Sequence, residues 1–394
     1  MKPRLLLAFS LLTLPANPQV TYERIRNAHQ EPGNWLTYSG GYRGWRYSLL
    51  DQITPLNAGG LKVKWVYQMP TTHLVETTPL VADGVMYFTE PPSNVVAVDA
   101  ETGRQYWRYA RVLPPKINVC CGQVNRGVAI AGDRVFVGTV DAHLVALDAK
   151  TGAVLWDVQV ADYRTGHSIT VAPLIVKDMV ISGISGGEYG IRGFLDAYDQ
   201  KTGQRRWRFW TIPEPGQPGG GTWSGESWKT GGGPTWVTGA FDVEQNLIVW
   251  GTGNPSPDWN GDSRLGDNLY SDSAIALDAD SGKLKWYFQF VPHDVHDWDW
   301  TGKRASFCWE NRSRPRPGPR VWSPTGGRSG CPISILRRRG LTSGRECRAP
   351  PTGIRPATTP LPSCSTSRFG KTAVCTARES RSTARATAIS GAFR

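Results

Sequence analysis

Long apolar runs are almost absent from this chain. Only Leu5–Leu14 stands out, and it is too short to span a bilayer comfortably. No Cys-x-x-Cys-His occurs, which excludes a covalently attached haem from the residues present. No His-Glu-x-x-His occurs, which argues against a zinc site at His293 and His296. Excess positive charge is also missing where a fold is legible. The chain of 394 residues carries a net charge of +12, but residues 1–301 hold 26 Lys and Arg against 30 Asp and Glu, a balance of −4. The other 93 residues hold 19 against 3, a balance of +16. The basic character belongs to one tail, so nucleic-acid binding by the whole protein is excluded. Arg337-Arg338-Arg339 lacks interleaved aromatics and a recognisable module, and does not restore that reading.

Against these absences stand 17 Trp and 44 Gly, a pairing that suggests many short strands joined by tight turns. Met1-Lys2-Pro3-Arg4 followed by Leu5–Leu14 fits a secretory signal peptide over residues 1–18, with Ala16 as the nearby small residue. Export to the periplasm is expected, hence an oxidising compartment in which disulfides persist. No transmembrane segment is expected in the mature chain.

The composition changes in kind after Thr301. Residues 302–394 contain 17 Arg, no Asp and no Tyr, and five of the seven Cys: Cys308, Cys331, Cys347, Cys364 and Cys375. Neither strand nor helical periodicity persists there. At face value this is a disordered basic tail. The sharper reading is loss of the reading frame near residues 301–310, because out-of-frame translation of GC-rich DNA yields Arg, Pro, Ser, Ala and Gly.

The body between repeats itself. Asp99–Trp107, Asp148–Trp156, Asp199–Trp207 and Asp278–Trp286 share the pattern Asp-x-x-Thr/Ser-Gly followed by Trp, with their glycines 49, 51 and 79 residues apart. An apolar strand precedes each (Val95–Val98, Leu144–Leu147, Phe194–Tyr198, Ala274–Leu277), and another precedes that (Val85–Phe88, Val135–Val137, Met179–Ile181, Leu247–Trp250). The Asp can bond backbone amides and the Gly supplies positive φ. A period near 50 with about four strands per unit predicts an all-β fold, a β-propeller with four-stranded blades, over residues 19–301. Asp278-Ala-Asp-Ser-Gly282 lacks the remaining spaced ligands of a calcium loop and is read as the same turn as its sisters.

With these residues in view, the chain resembles the pyrroloquinoline quinone (PQQ)-dependent alcohol dehydrogenases, the quinoprotein methanol and ethanol dehydrogenase family, from about Asn34 to Trp300. The repeat is similar to that family's tryptophan-docking motif. The resemblance implies an eight-bladed propeller with quinone and metal on its axis. Four full units are legible, plus a partial one around Leu61–Tyr67. Four or five blades in an open ring would expose two sheet edges, so the chain as written is expected to be inactive or poorly folded.

The resemblance assigns roles residue by residue. Cys120 and Cys121 are adjacent, either a vicinal disulfide or two buried thiols, and with the following Gly-Gln-Val-Asn-Arg-Gly they match the ring that caps one quinone face. Arg126 matches the arginine that binds a quinone carboxylate, for which a guanidinium fork is suited. Ser185, Gly186 and Gly187 match a quinone-contacting stretch, Thr170 and Glu76 further polar contacts, and Trp236 the floor beneath the quinone, where flat rings stack. Glu188, Asn254 and Asp297 match metal ligands, and Asp297 is also the matched catalytic base, with Asp294 as runner-up. Asp299 stands where lanthanide-type members carry Asp, so a lanthanide(III) is expected ahead of Ca2+. Counted from Val180 and Val249, Ser185 and Asn254 fall at the same offset, which would bring them together at the axis.

The implied reaction is oxidation of a primary alcohol to an aldehyde, with hydride passing to metal-activated PQQ and electrons on to a separate c-type cytochrome. Two other readings compete. One is a non-catalytic PQQ-repeat scaffold of the outer-membrane assembly kind, which would not need Cys120, Cys121, Glu188, Asn254 and Asp297 together. The other is a PQQ sugar dehydrogenase, against which the paired cysteines argue.

Overall fold

A computed structural model describes residues 19–71 and 73–299. The expected leader (1–18) and Arg-rich tail (302–394) lie outside the described residues. Four antiparallel four-stranded sheets follow one another, each a simple meander. The first contains β1 (Leu80–Ala82), β2 (Val85–Glu90), β3 (Asn94–Asp99) and β4 (Gln105–Tyr109). The second contains β5 (Ala129–Ala131), β6 (Arg134–Gly138), β7 (His143–Asp148) and β8 (Val154–Gln159). The third contains β9 (Leu174–Val176), β10 (Met179–Gly183), β11 (Phe194–Asp199) and β12 (Arg205–Trp210). The fourth contains β13 (Ala240–Asp242), β14 (Leu247–Gly251), β15 (Ser273–Asp278) and β16 (Leu284–Gln289). These are four propeller blades. Their two middle strands are buried on both faces, which is why they read as near-continuous apolar runs. One hydrophobic core joins them, from Leu80 through Val145, Val180 and Phe194 to Ile275.

The repeated turn is built alike in each blade. One carboxylate oxygen of Asp99, Asp148 and Asp199 accepts from the two backbone amides and the threonine hydroxyl that follow, and that of Asp278 accepts from the amide and hydroxyl of Ser281. The turn glycines all sit at positive φ, between 67° and 74°. The Trp of each of the first three blades then lies on the next blade's turn glycine. The Trp107 indole donates to the Ala149 carbonyl at 2.9 Å, Trp156 to Gln200 at 3.0 Å and Trp207 to Ala279 at 3.0 Å. A methyl group on Gly152, Gly203 or Gly282 would fall within 2.6–3.0 Å of those rings. Glycine is therefore required twice at these positions, for the backbone and for the approach of the indole.

The partial unit differs from expectation. No strand forms over residues 61–67. Trp65 nevertheless docks on Gly103 and donates to the Ala100 carbonyl at 3.2 Å. The docking indole is in place, but no neighbouring strand among the described residues pairs with its segment.

The turn aspartates make stability depend on acid. The Tyr106 hydroxyl, aided by the turn's own donors, draws Asp99 down to about 2, and Arg206 with the same kind of turn draws Asp199 to about 2. Carboxylates lowered on folding stabilise fully above their unfolded value of about 3.9 and lose that contribution as pH falls through the folded value. The thermal midpoint followed by circular dichroism is expected to drop between about pH 4 and pH 2. Asp99→Asn should flatten part of that drop.

Candidate functional site

Strand register determines what each blade presents beyond its second strand. Met179 pairs with Asp199, and Leu247 with Asp278. Counted from those turns, Gly183 and Gly251 are equivalent strand ends. Ser185 lies two residues past the first and Asn254 three past the second. The equal offset expected from Val180 and Val249 is thus one residue out, because the turn, and not the first Val, defines the register. The register mate of Ser185 is Gly253.

A polar chain runs across three blades. Arg126 sits between β4 and β5 with its side chain 14% exposed, and its guanidinium donates to Glu76 at 2.7 Å and to the Thr170 hydroxyl at 2.9 Å. The Thr170 hydroxyl bonds that of Ser185 at 2.7 Å. The same guanidinium lies 4.5 Å from the Trp236 ring centroid. Trp236 is aimed by its neighbour: Thr235 is fully buried, its hydroxyl donates to the Phe194 carbonyl and accepts from the Ile184 amide, and its amide donates to the Ile184 carbonyl. Gly232 and Gly233, both at positive φ, bridge the third blade to Asn254 of the fourth through the Gly193–Gly232 and Gly233–Asn254 backbone bonds.

The glycines of Ser185-Gly186-Gly187 have neighbours of their own. A methyl on Gly186 would strike the Gly166 carbonyl oxygen at 2.1 Å, and one on Gly187 would meet Pro234 at 2.9 Å. At these two positions glycine is demanded by packing of protein on protein.

The carboxylates gather beside this chain. Asp299 Oδ1 accepts from Trp236 Nε1 and from the Asn254 amide, both at 3.3 Å, and lies so close over Gly253 that a Cβ there would be 2.3 Å away. Burial first, and then the charge of Asp297, pushes Asp299 up to about 7. Asp297 is exposed at positive φ, and partial loss of hydration of its carboxylate, followed by the charge of Asp294, raises it. Glu188 is exposed on a single 3-10 turn, Gly187–Tyr189. Beside it, the Cys120 and Cys121 sulfurs lie 2.6 Å apart, with Cys121 at φ 63°. Burial, the neighbouring thiol and Glu188 all push the Cys120 thiol up.

Asn254 is fully buried, and its side-chain oxygen has no hydrogen-bond partner. A buried orphan acceptor beside Glu188, Asp297 and Asp299 is the kind of hard oxygen donor a calcium or lanthanide ion uses. Among the described residues no three His, Cys, Asp or Glu side chains converge closely enough to form a cage by themselves. The feature that fits a cation is the buried amide oxygen of Asn254, with carboxylates nearby.

Asp294 does not fit the role of alternative base. It is buried, and its two oxygens accept from the His296 and Trp298 amides at 2.9 Å each, so it shapes the loop that carries Asp297. Two residues escaped the sequence reading. Asp258 accepts from Asn254 Nδ2 at 2.6 Å and is pushed up to about 6 by burial and by Glu188 and Asp297. Arg264 is fully buried and donates to the carbonyls of Pro257, Asp258 and Asp294 and to Asn268 Oδ1. Neither belongs to a recognisable motif. A separate hollow of about 590 Å³, lined by residues including Leu113, Pro115, Ile117, Tyr163 and Arg164, shares no residue with this network.

Comparison with known proteins agrees with this architecture. The family described as "PQQ: Glucose/ethanol/alcohol dehydrogenase, beta-propeller domain" matches residues 35–317. The chain is 42% identical over 325 residues to the quinoprotein alcohol dehydrogenase PedH of Pseudomonas putida, covering 78% of this chain and 54% of that protein. It is 44% identical to the quinohemoprotein alcohol dehydrogenase ADH IIB of Pseudomonas putida, covering 75% and 45% respectively. Among solved structures, a europium-containing methanol dehydrogenase superposes with a TM-score of 0.67 at 36% identity, covering 71% of this chain and 53% of that one. The chain thus spans about half the length of these relatives.

Proposed function

The chain belongs to the PQQ glucose/ethanol/alcohol dehydrogenase β-propeller family, and from that premise we propose that its described blades hold PQQ and a lanthanide or calcium ion for oxidation of a primary alcohol to an aldehyde. The observation that carries this reading is the Arg126–Thr170–Ser185 chain meeting Trp236 and Asp299 next to the unpaired Asn254 oxygen. When bound, the quinone supplies a two-electron acceptor and the cation Lewis acidity.

The chain's own residues do the rest. Arg126 offers a charged fork to a quinone carboxylate, with Thr170, Ser185 and Glu76 as polar neighbours. Trp236 would offer its ring as a floor, and Cys120–Cys121, once oxidised to a vicinal disulfide in an oxidising compartment, would cover the opposite side. Gly186 and Gly187 let the Ser185 turn lie flat beside them. Glu188, Asn254, Asp297 and Asp299 would hold the cation, and the extra carboxylate of Asp299 favours a trivalent ion. Asp297 takes the alcohol's hydroxyl proton; its raised proton affinity brings it nearer working pH, as a general base requires. Electrons then pass to a separate c-type cytochrome, in the periplasm. Among the described residues no helix is long and apolar enough to cross a membrane.

The test is reconstitution with PQQ and either La3+ or Ca2+, gel filtration, and the quinone absorbance retained on protein. Cation-dependent retention, greater with La3+, is expected. Retention with neither cation overturns the reading. Ethanol-driven dye reduction that glucose does not support would extend it to the alcohol reaction. Retention without turnover would place the block on chemistry beyond residue 299.

A further inference from the structure

We propose that Asp258 is a positioning residue whose carboxylate fixes the Asn254 side-chain amide with its oxygen turned toward the cation position beside Glu188. The inference rests on the cation reading above, but on a contact which that reading does not use.

Asn254 is fully buried, so every polar atom it carries must find a partner or be left without one. Its backbone N–H donates to Asp299 at 3.3 Å, and its carbonyl accepts from the Gly233 amide at 2.8 Å. Its Nδ2 donates to Asp258 Oδ1 at 2.6 Å and to the Pro255 carbonyl at 3.3 Å. Only Oδ1 is unpaired, and it faces the Gly187 turn: a Cβ on Gly187 would lie 3.3 Å from it. An amide has two faces that differ only in which end donates. Flipping Asn254 would set its oxygen against the Asp258 carboxylate, acceptor against acceptor, and would point an NH2 group at a cation. Asp258 therefore selects the orientation in which an oxygen is offered.

Asp258 is itself held. The buried Arg264 donates to the Pro257 carbonyl at 3.0 Å and to the Asp258 carbonyl at 3.2 Å, and the same guanidinium reaches the Asp294 carbonyl in the loop of Asp297. One buried cation thus ties the Asp258 loop to the loop carrying Asp297. Outer-shell carboxylates that orient a metal ligand commonly act in this way.

The probe is Tb3+ titrated into the full 394-residue chain, read by luminescence sensitised through the tryptophans, with circular dichroism as the folding check. Asp258→Ala is expected to weaken terbium binding about 10- to 100-fold, the usual cost of losing such a support. Asp258→Asn keeps an acceptor oxygen without the charge and should bind nearly as the parent does. In an Asn254→Asp background, where either oxygen can face the ion, Asp258→Ala should cost nothing further. Equal losses in Asp258→Asn and Asp258→Ala would mean that Asp258 acts through its charge or as a ligand, and would overturn the proposal. So would unchanged binding in Asp258→Ala. If that variant fails to fold, Asp258→Ser, too short to make the contact, replaces it with the same expectation. A parent chain that takes up no terbium refutes the cation reading itself, an outcome distinct from normal uptake by parent and Asp258→Ala alike.

Discussion

Trp207→Ala is expected to lower stability by about 3–5 kcal/mol, the range for truncating a buried large aromatic. The indole is 9% exposed, packs over the Gly282 turn of the next blade and donates its N–H to the Ala279 carbonyl. Truncation empties the contact and leaves a buried carbonyl without its donor, so cavity and desolvation costs add. The loss falls at the junction between the third and fourth blades, where side-chain docking of this kind joins sheets that share no strand-to-strand ladder. Gly282→Ala attacks the same junction from the other side. It adds a methyl 2.6 Å from the ring at a residue with φ 67°, so steric and backbone penalties combine. Val112→Ala, 89% exposed, is the control and should stay within about 0.5 kcal/mol of the parent. Urea unfolding followed by circular dichroism reads all three. A Trp207→Ala midpoint equal to that of Val112→Ala would sink the claim that docking joins the blades.

The same junctions show why so much of the fold was legible. The Asp-x-x-Thr/Ser-Gly turn and its Trp are local patterns with one geometry, so each occurrence placed β2, β3 and their counterparts to within about two residues. The first strand of each blade did not show. Leu80–Ala82, Ala129–Ala131, Leu174–Val176 and Ala240–Asp242 are three residues long, too short for alternation to register. The segment around Trp65 carried the docking residue but not the strand, because a strand needs a neighbour to pair with and the repeat says nothing of that.

The site divides in the same way. Arg126, Thr170, Ser185 and Trp236 were picked out singly by resemblance, and the structure brings them into one contiguous network. Whether Cys120 and Cys121 are bonded could not be read from their adjacency; the structure sets their sulfurs 2.6 Å apart. Asp258 had no signal at all: a lone acid in Pro255-Ser-Pro-Asp258 acquires meaning only once the Asn254 amide is seen to have one unpaired atom. Asp294 and Asp297 look alike in an acid-rich loop. Only the two amides bonded to Asp294 separate the residue that builds the loop from the one the loop presents.

Arg126→Ala is expected to weaken quinone binding by about 2–5 kcal/mol, the cost of truncating one partner of a buried, hydrogen-bonded charge pair. That is roughly 30-fold to several thousand-fold in Kd. Quenching of tryptophan emission by added PQQ, with saturating La3+, measures it. The size follows from how the guanidinium is set before any ligand arrives. It is anchored by Thr170 and Glu76, so little ordering remains to be done on binding. Arg126→Lys keeps the charge but not the planar fork, and should fall between parent and Ala. Glu76→Gln should cost less than Arg126→Ala, because Glu76 is 41% exposed and its pair with Arg126 is partly screened by water. The ordering Ala, Lys, Gln, parent is the signature of a guanidinium that binds a ligand carboxylate. If Glu76→Gln instead matched Arg126→Ala, the ion pair would be the functional unit and Arg126 would have no separate carboxylate to bind. If Arg126→Ala left Kd unchanged in a folded chain, the quinone would not lie across this network at all.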